Sequence, residues 1–386
     1  MKSSIAISNK HIFFVLSIYS LVGLIPLVPT TFYYSKAIII PIFSGFLFLN
    51  KRRAQISGGL ITLIAILFIS YILSTLLSGI GINLIALLLE LVPLLIFLSY
   101  LLLKLDPENV EKILMNIHVI SSLFGVIQFI FLPQYEISLG GVWYEVTSEL
   151  PLLMKRPGSI FGNSNVFGAF NLLILVLLLF KHPIKRDSIK FKTYQILVLL
   201  NIILIAKSRS SLISAYLIYL VFFWNQHKYL ILGVLLLIPI FILSIFNIIL
   251  STEELNQIFR LSDLFLSERN SFTIRKEIFE YSFQFIKNNL FLGVGPGNIL
   301  TFFQSQNAPH NGPETAGMWI IIEKGILSYL CYIIFLVRLL FNKNLFKKMI
   351  GVSLLVIGVF ETVMIQSQIL GIILILSTLK NRENVI

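Results

Sequence analysis

The chain has 386 residues, of which 57% are hydrophobic and 12% are charged, and its net charge at pH 7 is +12. A water-soluble domain carries about twice this share of charged residues, so the composition excludes an ordinary soluble protein. The positive balance alone would suit a nucleic-acid-binding protein, but loop lysines beside anionic lipid explain it better, and we expect no nucleic-acid partner. The single cysteine, Cys331, excludes a disulfide within the chain and a cysteine-based metal site.

Apolar runs of about 20 residues recur along the whole chain, as is typical of helices that cross a bilayer. Only helices and closed barrels satisfy their backbone polar groups in lipid, and the sequence lacks the short alternating segments of a barrel. We therefore predict an all-α, polytopic membrane protein of about 12 transmembrane helices, with residues 1–386 forming a single integral membrane domain. The predicted spans lie at about 11–29, 32–50, 57–78, 81–103, 113–133, 164–180, 193–207, 210–225, 229–250, 316–340, 348–361 and 363–379.

The distribution of lysine and arginine predicts the orientation of this bundle. With the N-terminus inside, most of the 30 Lys and Arg residues fall in cytoplasmic segments, and the short outer connections are almost free of them. Short cytoplasmic loops are enriched in these residues, so we expect both termini in the cytoplasm. Lys2 and Lys10 precede the first apolar run as in a signal peptide, but no small-residue cleavage site follows, so we interpret the run as a retained first span.

Two long segments, 134–163 and 251–315, fall on the predicted outer face. Loops of such length are usually functional or partly helical. Within the second, apolar side chains recur with the spacing of a helix, for which Thr273 is a candidate cap. We expect an amphipathic helix there, lying on the outer surface of the bilayer. Its recurring apolar residues are Ile274, Ile278, Tyr281, Phe285 and Ile286.

Predicted spans seven and eight, 193–207 and 210–225, are short, with about 15 residues each against the roughly 20 needed to cross. Their shared turn, Lys207-Ser208-Arg209-Ser210-Ser211, would therefore lie below the outer surface and hold Arg209 at membrane depth. An arginine at that depth is costly and is a functional candidate. The alternative is an arginine that reaches back to lipid phosphate.

The segment from Arg156 to Asn165 opens predicted span six. Its glycines allow tight backbone conformations, and Asn163 and Asn165 are of a type that caps helices. Free N–H groups at a helix N-terminus beside Arg156 would suit a phosphate or diphosphate group. The alternative is an ordinary loop with a capping asparagine.

The second outer segment holds three further candidate groups. Arg275 and Lys276 lie on the predicted amphipathic helix. The glycine cluster 293–298 is not a nucleotide-binding loop, because no Lys-Ser/Thr follows it, and we interpret it as a turn that ends this helix. His310, followed by Asn311, is the only one of the five histidines predicted on the outer face. It could take a proton from a sugar hydroxyl, and the alternative is an inert loop histidine.

Three charged residues are predicted inside the bundle. Glu323 and Lys324 lie in the outer third of predicted span ten, and Glu90 is isolated in span four. Each could serve the site or be neutralised by a partner inside the bundle. No spacing of His, Asp or Glu suggests a metal, and no Asp-x-Asp pair is present to hold the metal of a nucleotide-sugar donor.

Together, these features resemble the O-antigen ligase and O-antigen polymerase superfamily of bacterial cell-envelope glycosyltransferases. The first piece of the resemblance is the segment from Arg156 to Asn165, and the second is the turn Lys207-Ser208-Arg209-Ser210. The third runs from Arg275 to Gly325 and contains Gly-Val-Gly-x-Gly-Asn, His-Asn and Glu-x-Gly. The resemblance covers about residues 155–325.

Two departures from the family pattern concern loop geometry. Asn163-Ser164-Asn165 stands where Asn-Pro-Asn is more usual, and Gly312 and Pro313 replace residues that usually continue the following helix.

The resemblance implies a C-type glycosyltransferase fold, which is a helical bundle of the bacterial inner membrane with its site facing the periplasm or exterior. The donor would be a glycan on undecaprenyl diphosphate, attacked at its anomeric carbon by a hydroxyl of the acceptor. Arginines would stabilise the leaving diphosphate, so we expect neither a metal nor a cofactor. We assign catalytic roles to Arg209, Arg275 and His310. Substrate-binding roles are assigned to Arg156, Asn163, Asn165, Lys276, Asn311 and Glu323.

The sequence leaves the acceptor open. A polymerase joins one lipid-linked repeat unit to another, whereas a ligase moves a finished chain onto lipid A core or another acceptor. The abundance of Ile, Phe, Asn and Lys suggests AT-rich coding, which is commoner among surface-polysaccharide polymerases, so we favour a polymerase of O-antigen or capsule repeat units. An O-antigen ligase is the alternative. A lipid-linked oligosaccharide transporter, with polar residues and broken helices at the midplane, is the alternative of another class.

The expected partners follow from this reaction. They are an undecaprenyl-diphosphate-linked glycan donor, a glycan or lipid acceptor and membrane lipids. A regulator of chain length is a further partner that the sequence leaves open.

Overall fold

The structure is a computed structural model of the chain. It describes residues 9–23, 30–50, 66, 69, 72–74, 76, 84–132, 134–137, 143–147, 157–181, 188–228, 271–288, 293–305, 315–360 and 367–379. For some positions within helices and strands, including Arg209 and Arg275, the description covers the backbone alone.

Helices dominate the described residues. In chain order they are α1 (Asn9–Leu21), α2 (Thr30–Tyr34), α3 (Lys36–Asn50), α4 (Leu84–Leu103), α5 (Pro107–Phe131), a 3₁₀ turn (Ser159–Phe161), α6 (Ser164–Phe180), α7 (Ile189–Leu200), a π-helical segment (Asn201–Ala206), α8 (Arg209–Asn225), α9 (Ser271–Asn288), α10 (Ile299–Ser305), α11 (Ala316–Leu340), α12 (Leu345–Phe360) and α13 (Ser367–Thr378). Two strands, β1 (Gln134–Ile137) and β2 (Trp143–Thr147), lie between α5 and the 3₁₀ turn.

Several of these helices suit a membrane by length and composition. Five are long and apolar enough to cross one, namely Thr31–Leu49, Leu84–Leu103, Pro107–Phe131, Ile189–Ala206 and Ala316–Leu340. Three shorter apolar helices are Ser164–Phe180, Ser210–Asn225 and Ile369–Thr378. A helical protein with several candidate spans is therefore observed, as predicted. The count of 12 stays a prediction, because most of 57–78 and all of 229–250 lie outside the described residues.

The best-predicted helices begin where a polar side chain caps them. α6 and α11 start and end at the residues predicted for spans six and ten. Asn163 Oδ1 accepts the backbone N–H groups of Asn165 and Val166 at 2.8 and 3.3 Å. Thr315 Oγ1 accepts the N–H of Met318 at 3.4 Å. These caps satisfy N–H groups that have no partner within the helix, so they fix where each helix begins.

Predicted span seven was wrong at its start. α7 begins at Ile189, after Ser188, whose Oγ accepts the N–H of Phe191 at 3.2 Å. With the π-helical segment it forms an apolar helix of 18 residues. The lysines of this first turn made the sequence look like a loop, whereas the helix tolerates them because Lys190 and Lys192 are exposed.

A short hairpin accompanies the otherwise helical architecture in one place. β1 and β2 pair as an antiparallel hairpin in which Tyr135 lies opposite Glu145 and Ile137 lies opposite Trp143. Aromatic and β-branched residues favour extended backbone, and these two short stretches are rich in them. The predicted outer segment 134–163 therefore begins with a hairpin.

The core of the bundle is built around α6. Every residue from Val166 to Leu179 is buried. A helix that is apolar on all sides is stable only where other helices surround it. α5, α7, α8 and α12 pack against α6 and provide these neighbours. The body of α6 is thus held inside the bundle, whereas its cap residue Asn163 is exposed.

The predicted amphipathic helix exists, but its apolar face lies elsewhere than predicted. α9 begins at Ser271, so Thr273 lies inside the helix and is not its cap. Its side chains Phe285 and Ile286 are buried in a cluster with residues of the glycine segment, α10 and α11. The face predicted to lie on the bilayer packs against the protein. The opposite face exposes Phe279 and Phe283, whose rings stack with centroids 6.4 Å apart.

Candidate functional site

The turn that leads into α6 depends on two glycines. A Cβ on Gly158 would lie 2.2 Å from the backbone nitrogen of Asn163, so no other residue fits without moving the chain. Gly162 has φ of 71°, in the left-handed region that glycine adopts at little cost. The 3₁₀ turn between them bends the chain so that Asn163 can cap α6. The sequence motif from Gly158 to Asn165 thus forms the turn and the cap with which α6 begins.

The Ser-Arg turn likewise forms the turn and the cap with which α8 begins. Lys207 adopts φ of 48° and ψ of 40°, which reverses the chain after the π-helical segment. Ser208 caps α8, since its Oγ accepts the N–H of Ser211 at 3.4 Å and donates to Ser211 Oγ at 2.9 Å. Ser208, Ser210 and Ser211 are all buried. The serines of the turn therefore lie inside the protein, and the backbone of Arg209 forms the first position of α8. The depth of Arg209 in the membrane stays a prediction.

The two helix starts meet at Gly168, one turn into α6. A Cβ on Gly168 would lie 2.7 Å from Ser208 Cβ and 2.9 Å from Ser211 Oγ. The missing side chain lets the start of α8 contact α6 directly. Helix N-termini carry a partial positive charge, so two of them side by side create a region that favours an anion. Arg209 begins one of these helices.

A buried polar cluster links these helices below their starts. Asn201 Nδ2 donates to Ser122 Oγ at 2.7 Å and to Asn171 Oδ1 at 2.9 Å. Asn171 Nδ2 donates to the carbonyl of Phe167 at 2.8 Å, and Ser122 Oγ donates to the carbonyl of His118 at 2.7 Å. These bonds tie the π-helical segment to α5 and α6, and all four polar residues are buried. Our reasoning from the sequence missed this cluster, although single polar residues in several apolar runs were a signal for it.

The glycine segment and the middle of α11 form a second region. The N–H groups of Val294 and Gly295 donate to the carbonyls of Ile322 and Glu323, each at 2.8 Å. The N–H of Gly297 donates to Glu323 Oε1 at 2.8 Å. The segment was predicted as a turn that ends the surface helix. It also forms backbone hydrogen bonds to α11. The sequence motifs Gly-Val-Gly-x-Gly-Asn and Glu-x-Gly are thus in direct contact.

Both carboxylates of this second region, the buried Glu323 and the half-buried Glu90, have partners. Glu323 Oε2 accepts from Trp319 Nε1 at 3.0 Å and lies 3.5 Å from Lys324 Nζ. Lys324 Nζ lies 2.6 Å from Glu90 Oε2. Glu90 is thus neutralised by a partner inside the bundle, which is one of the two alternatives left open by the sequence.

A cation near the predicted outer face was missed. Lys36 is the only charged residue in the predicted span 32–50, and it is buried at the start of α3. Its ammonium donates to the carbonyl of Ser20 at 3.1 Å and to that of Val22, and it lies 4.6 Å from the centre of the Tyr33 ring. A cation at this place stabilises the carbonyl end of α1. Gly23, which follows Val22, donates its N–H to the carbonyl of Ile160 at 2.7 Å. Because Lys36 binds the carbonyl of Val22, it also supports the turn before α6.

The remaining predicted site residues fall partly outside the described residues. Arg156, His310 and Asn311 lie there, so their convergence on one cavity stays a prediction. Arg275 lies in α9 by its backbone, and Lys276 beside it is exposed and pairs with Glu280 at 3.8 Å. Two regions are therefore established, one at the starts of α6 and α8 and one around α9 and α11. α12 packs against α6, α8 and α11 and so connects them.

Comparison with known proteins adds a family to this geometry. The family model described as O-antigen ligase matches residues 195–333. The matched part begins in α7, contains the Ser-Arg turn, α9 and the glycine segment, and ends in α11. The search of curated proteins gave no match. Residues 195–333 are thus similar to the O-antigen ligase family, as the motifs in this part of the chain predicted.

Proposed function

We propose that the protein is a glycosyltransferase that moves a glycan from undecaprenyl diphosphate to a hydroxyl of an acceptor on the outer face of the bacterial inner membrane. The observation that carries this proposal is the contact at Gly168, which brings the starts of α6 and α8 together immediately before Arg209. Such a place favours a polyanion, and a diphosphate is the anion of the donor used by this superfamily.

The proposed chemistry is a direct displacement. The acceptor oxygen forms a bond to the anomeric carbon as the bond from that carbon to the diphosphate oxygen breaks, and the hydroxyl proton passes to His310. Arg209 and Arg275 bind the diphosphate and stabilise the charge that develops on it, while Arg156 supports the diphosphate or the acceptor. The leaving group is already good, so positioning and charge stabilisation supply most of the catalysis, and no metal is assigned.

The other candidate residues have smaller roles in this proposal. Asn163 shapes the helix start through its cap, and Asn165 lies beside it in the first turn of α6. Lys276 is exposed next to Arg275 and is available to the glycan or its diphosphate. Asn311 is assigned to the acceptor beside His310. Glu323 acts through the glycine segment, because both of its oxygens have protein partners.

The placement in the membrane is part of the same proposal. One integral membrane domain spans residues 1–386, with both termini in the cytoplasm. The outer segments 134–163 and 251–315 then form the walls of the site. Membrane lipids surround the bundle, and a chain-length regulator is a candidate partner of a polymerase.

The two versions of this function, polymerase and ligase, differ in their acceptor. A polymerase is favoured by the composition of the chain, whereas a ligase fits the family model at least as well, since that model is described as O-antigen ligase. Deletion of the gene distinguishes them. Loss of a polymerase leaves lipid A core that carries a single repeat unit, whereas loss of a ligase leaves unmodified core and accumulates lipid-linked polymer.

A transfer assay tests the class itself. Purified protein, lipid-linked repeat units and acceptor should yield a longer glycan and free undecaprenyl diphosphate. If labelled donor instead crosses the bilayer of proteoliposomes with no new glycosidic bond formed, the protein is a transporter and the proposal fails.

A further inference from the structure

α11 is interrupted at Gly325. This residue has φ of 77° and ψ of 176°, which lies outside the helical region and suits glycine. In an unbroken helix the carbonyls of Ile322 and Glu323 would accept N–H groups four residues later. Here they accept the N–H groups of Val294 and Gly295. The interruption divides α11 into an outer part, Ala316–Lys324, and an inner part that continues through the bundle.

The outer part of α11 belongs to a separate packing unit, which we call the outer cap. The cap consists of α9, the segment Gly293–Asn298, α10 and Ala316–Lys324. Its hydrophobic core is distinct from that of the bundle and contains Phe285, Ile286, Val294, Ile299, Phe303 and Ile322. Glu323 holds this unit together, since it accepts from Gly297 N–H and from Trp319 Nε1. The cap therefore has its own core and its own buried polar centre.

Among the described residues, the cap meets the bundle through one ion pair and through apolar contacts of Ala316 and Ile320 with Tyr329 and Tyr332. Lys324, the last residue of the cap, reaches Glu90 of α4 with 2.6 Å between Nζ and Oε2. Ser74 adds a hydrogen bond from its Oγ to the carbonyl of Glu323 at 2.8 Å. Lys324 is buried and Glu90 is half-buried, so the pair lies in a region of low dielectric constant. In such a place, loss of Lys324 leaves both Glu90 and Glu323 without a counter-charge, whereas loss of Glu90 leaves Lys324 with Glu323 alone.

The geometry also shows why Lys324 is unsuited to hold the donor. Its ammonium lies between two carboxylates, 2.6 Å from Glu90 and 3.5 Å from Glu323. Its side chain is only 4% exposed. The two carboxylates beside it would also repel a diphosphate. The ammonium is engaged in joining parts of the protein.

We propose that Glu90 and Lys324 form a latch that fixes the outer cap on the bundle and so sets the distance between the two halves of the site. Arg275 and Lys276 belong to the cap, whereas Arg209 and the start of α6 belong to the bundle. Both halves must meet around one donor diphosphate, and a displacement of about 1 Å can reduce turnover by about 100-fold. Glu90 and Lys324 are therefore positioning residues. This inference rests on the proposed function for its effect on activity, but not for its effect on structure.

Hydrogen exchange of the full-length purified protein tests the latch without use of substrate. In Glu90→Gln, the amides of 271–288, 293–305 and 316–324 should exchange about tenfold faster or more, whereas those of 164–180 should not change. Lys324→Met leaves both Glu90 and Glu323 without a counter-charge, so its cap should exchange at least as fast as that of Glu90→Gln. Glu111→Gln is the matched control, because Glu111 forms a similarly buried pair with Lys181 at 3.8 Å in another part of the bundle. It should leave exchange in the cap unchanged.

Glycan transfer by the same proteins completes the test. Glu90→Gln should lower kcat about tenfold or more, and Lys324→Met should lower it at least as much. Unchanged exchange in Glu90→Gln, or a cap that exchanges more slowly in Lys324→Met than in Glu90→Gln, overturns the latch. Faster exchange in the cap with unchanged kcat overturns the positioning role. If the wild-type protein transfers no glycan while the exchange pattern is as expected, the proposed function fails and the latch stands.

Discussion

Gly168→Ala is the change that most directly tests the contact between the two helix starts. The new Cβ would lie 2.7 Å from Ser208 Cβ, whereas ordinary contacts begin near 3.4 Å. Either α8 or α6 must therefore shift by about 0.7 Å, because both atoms are attached directly to the backbone. Overpacking of this kind costs about 1–3 kcal/mol of stability. A shift of this size between two groups that bind one diphosphate should reduce transfer by about 10- to 100-fold.

The assay compares transfer per folded protein, measured as glycan made by purified enzyme at equal concentrations. Gly45→Ala is the matched control, since a Cβ on Gly45 of α3 would meet nothing within 4 Å. It should keep full activity and change stability by no more than about 1 kcal/mol. In the double variant Gly168→Ala/Ser208→Gly, the closest contact disappears and glycine remains an acceptable cap, so part of the activity should return. Wild-type activity and stability of Gly168→Ala would refute the contact and, with it, the placement of Arg209 beside the start of α6.

Three further predictions address the arginines, the missed lysine and the orientation. Arg209→Ala and Arg275→Ala should each lower transfer by about 100-fold or more at normal protein levels. Arg338 is exposed elsewhere on the protein, so Arg338→Ala should retain activity. Full activity of Arg209→Ala or Arg275→Ala would contradict the assignment. Lys36→Met leaves the carbonyls of Ser20 and Val22 without their donor, so thermal unfolding should show a loss of about 1–3 kcal/mol that Lys10→Met does not cause. The orientation is tested with single cysteines in a Cys331→Ser background. A membrane-impermeant maleimide should label Lys276→Cys in intact spheroplasts but Lys112→Cys only after permeabilisation. The reverse labelling pattern would show that the proposed topology is inverted.

Much of the helical layout could be predicted because lipid leaves the backbone few choices. An apolar run such as 164–180 or 316–340 must form a helix there, since unpaired backbone groups have no water to bind. The caps Asn163 and Thr315 then mark where those helices begin. Errors appeared where this constraint is weaker. Lysines in the first turn of α7 concealed its start, and the hairpin of β1 and β2 lies in a predicted outer segment where water is available.

The motifs of the site were visible in the chain, but their arrangement was not. Apolar periodicity identifies the buried face of a helix without naming the neighbour that covers it. For α9, that neighbour is α11 rather than the bilayer. The contact of Gly168 with Ser208 depends on how closely α6 and α8 approach, and the approach depends on every side chain between them.

Charge pairing shows the same division. Hydropathy identified Glu90 and Lys324 as charged residues inside the bundle, which could either serve the site or be neutralised by a partner. That they compensate each other, 234 positions apart in the sequence, is decided by the tertiary arrangement that brings this part of α11 to α4. Local sequence thus determined which segments are helical and which residues are available for chemistry. Tertiary structure decided which of them meet, because a contact between distant residues depends on the whole set of packed helices between them.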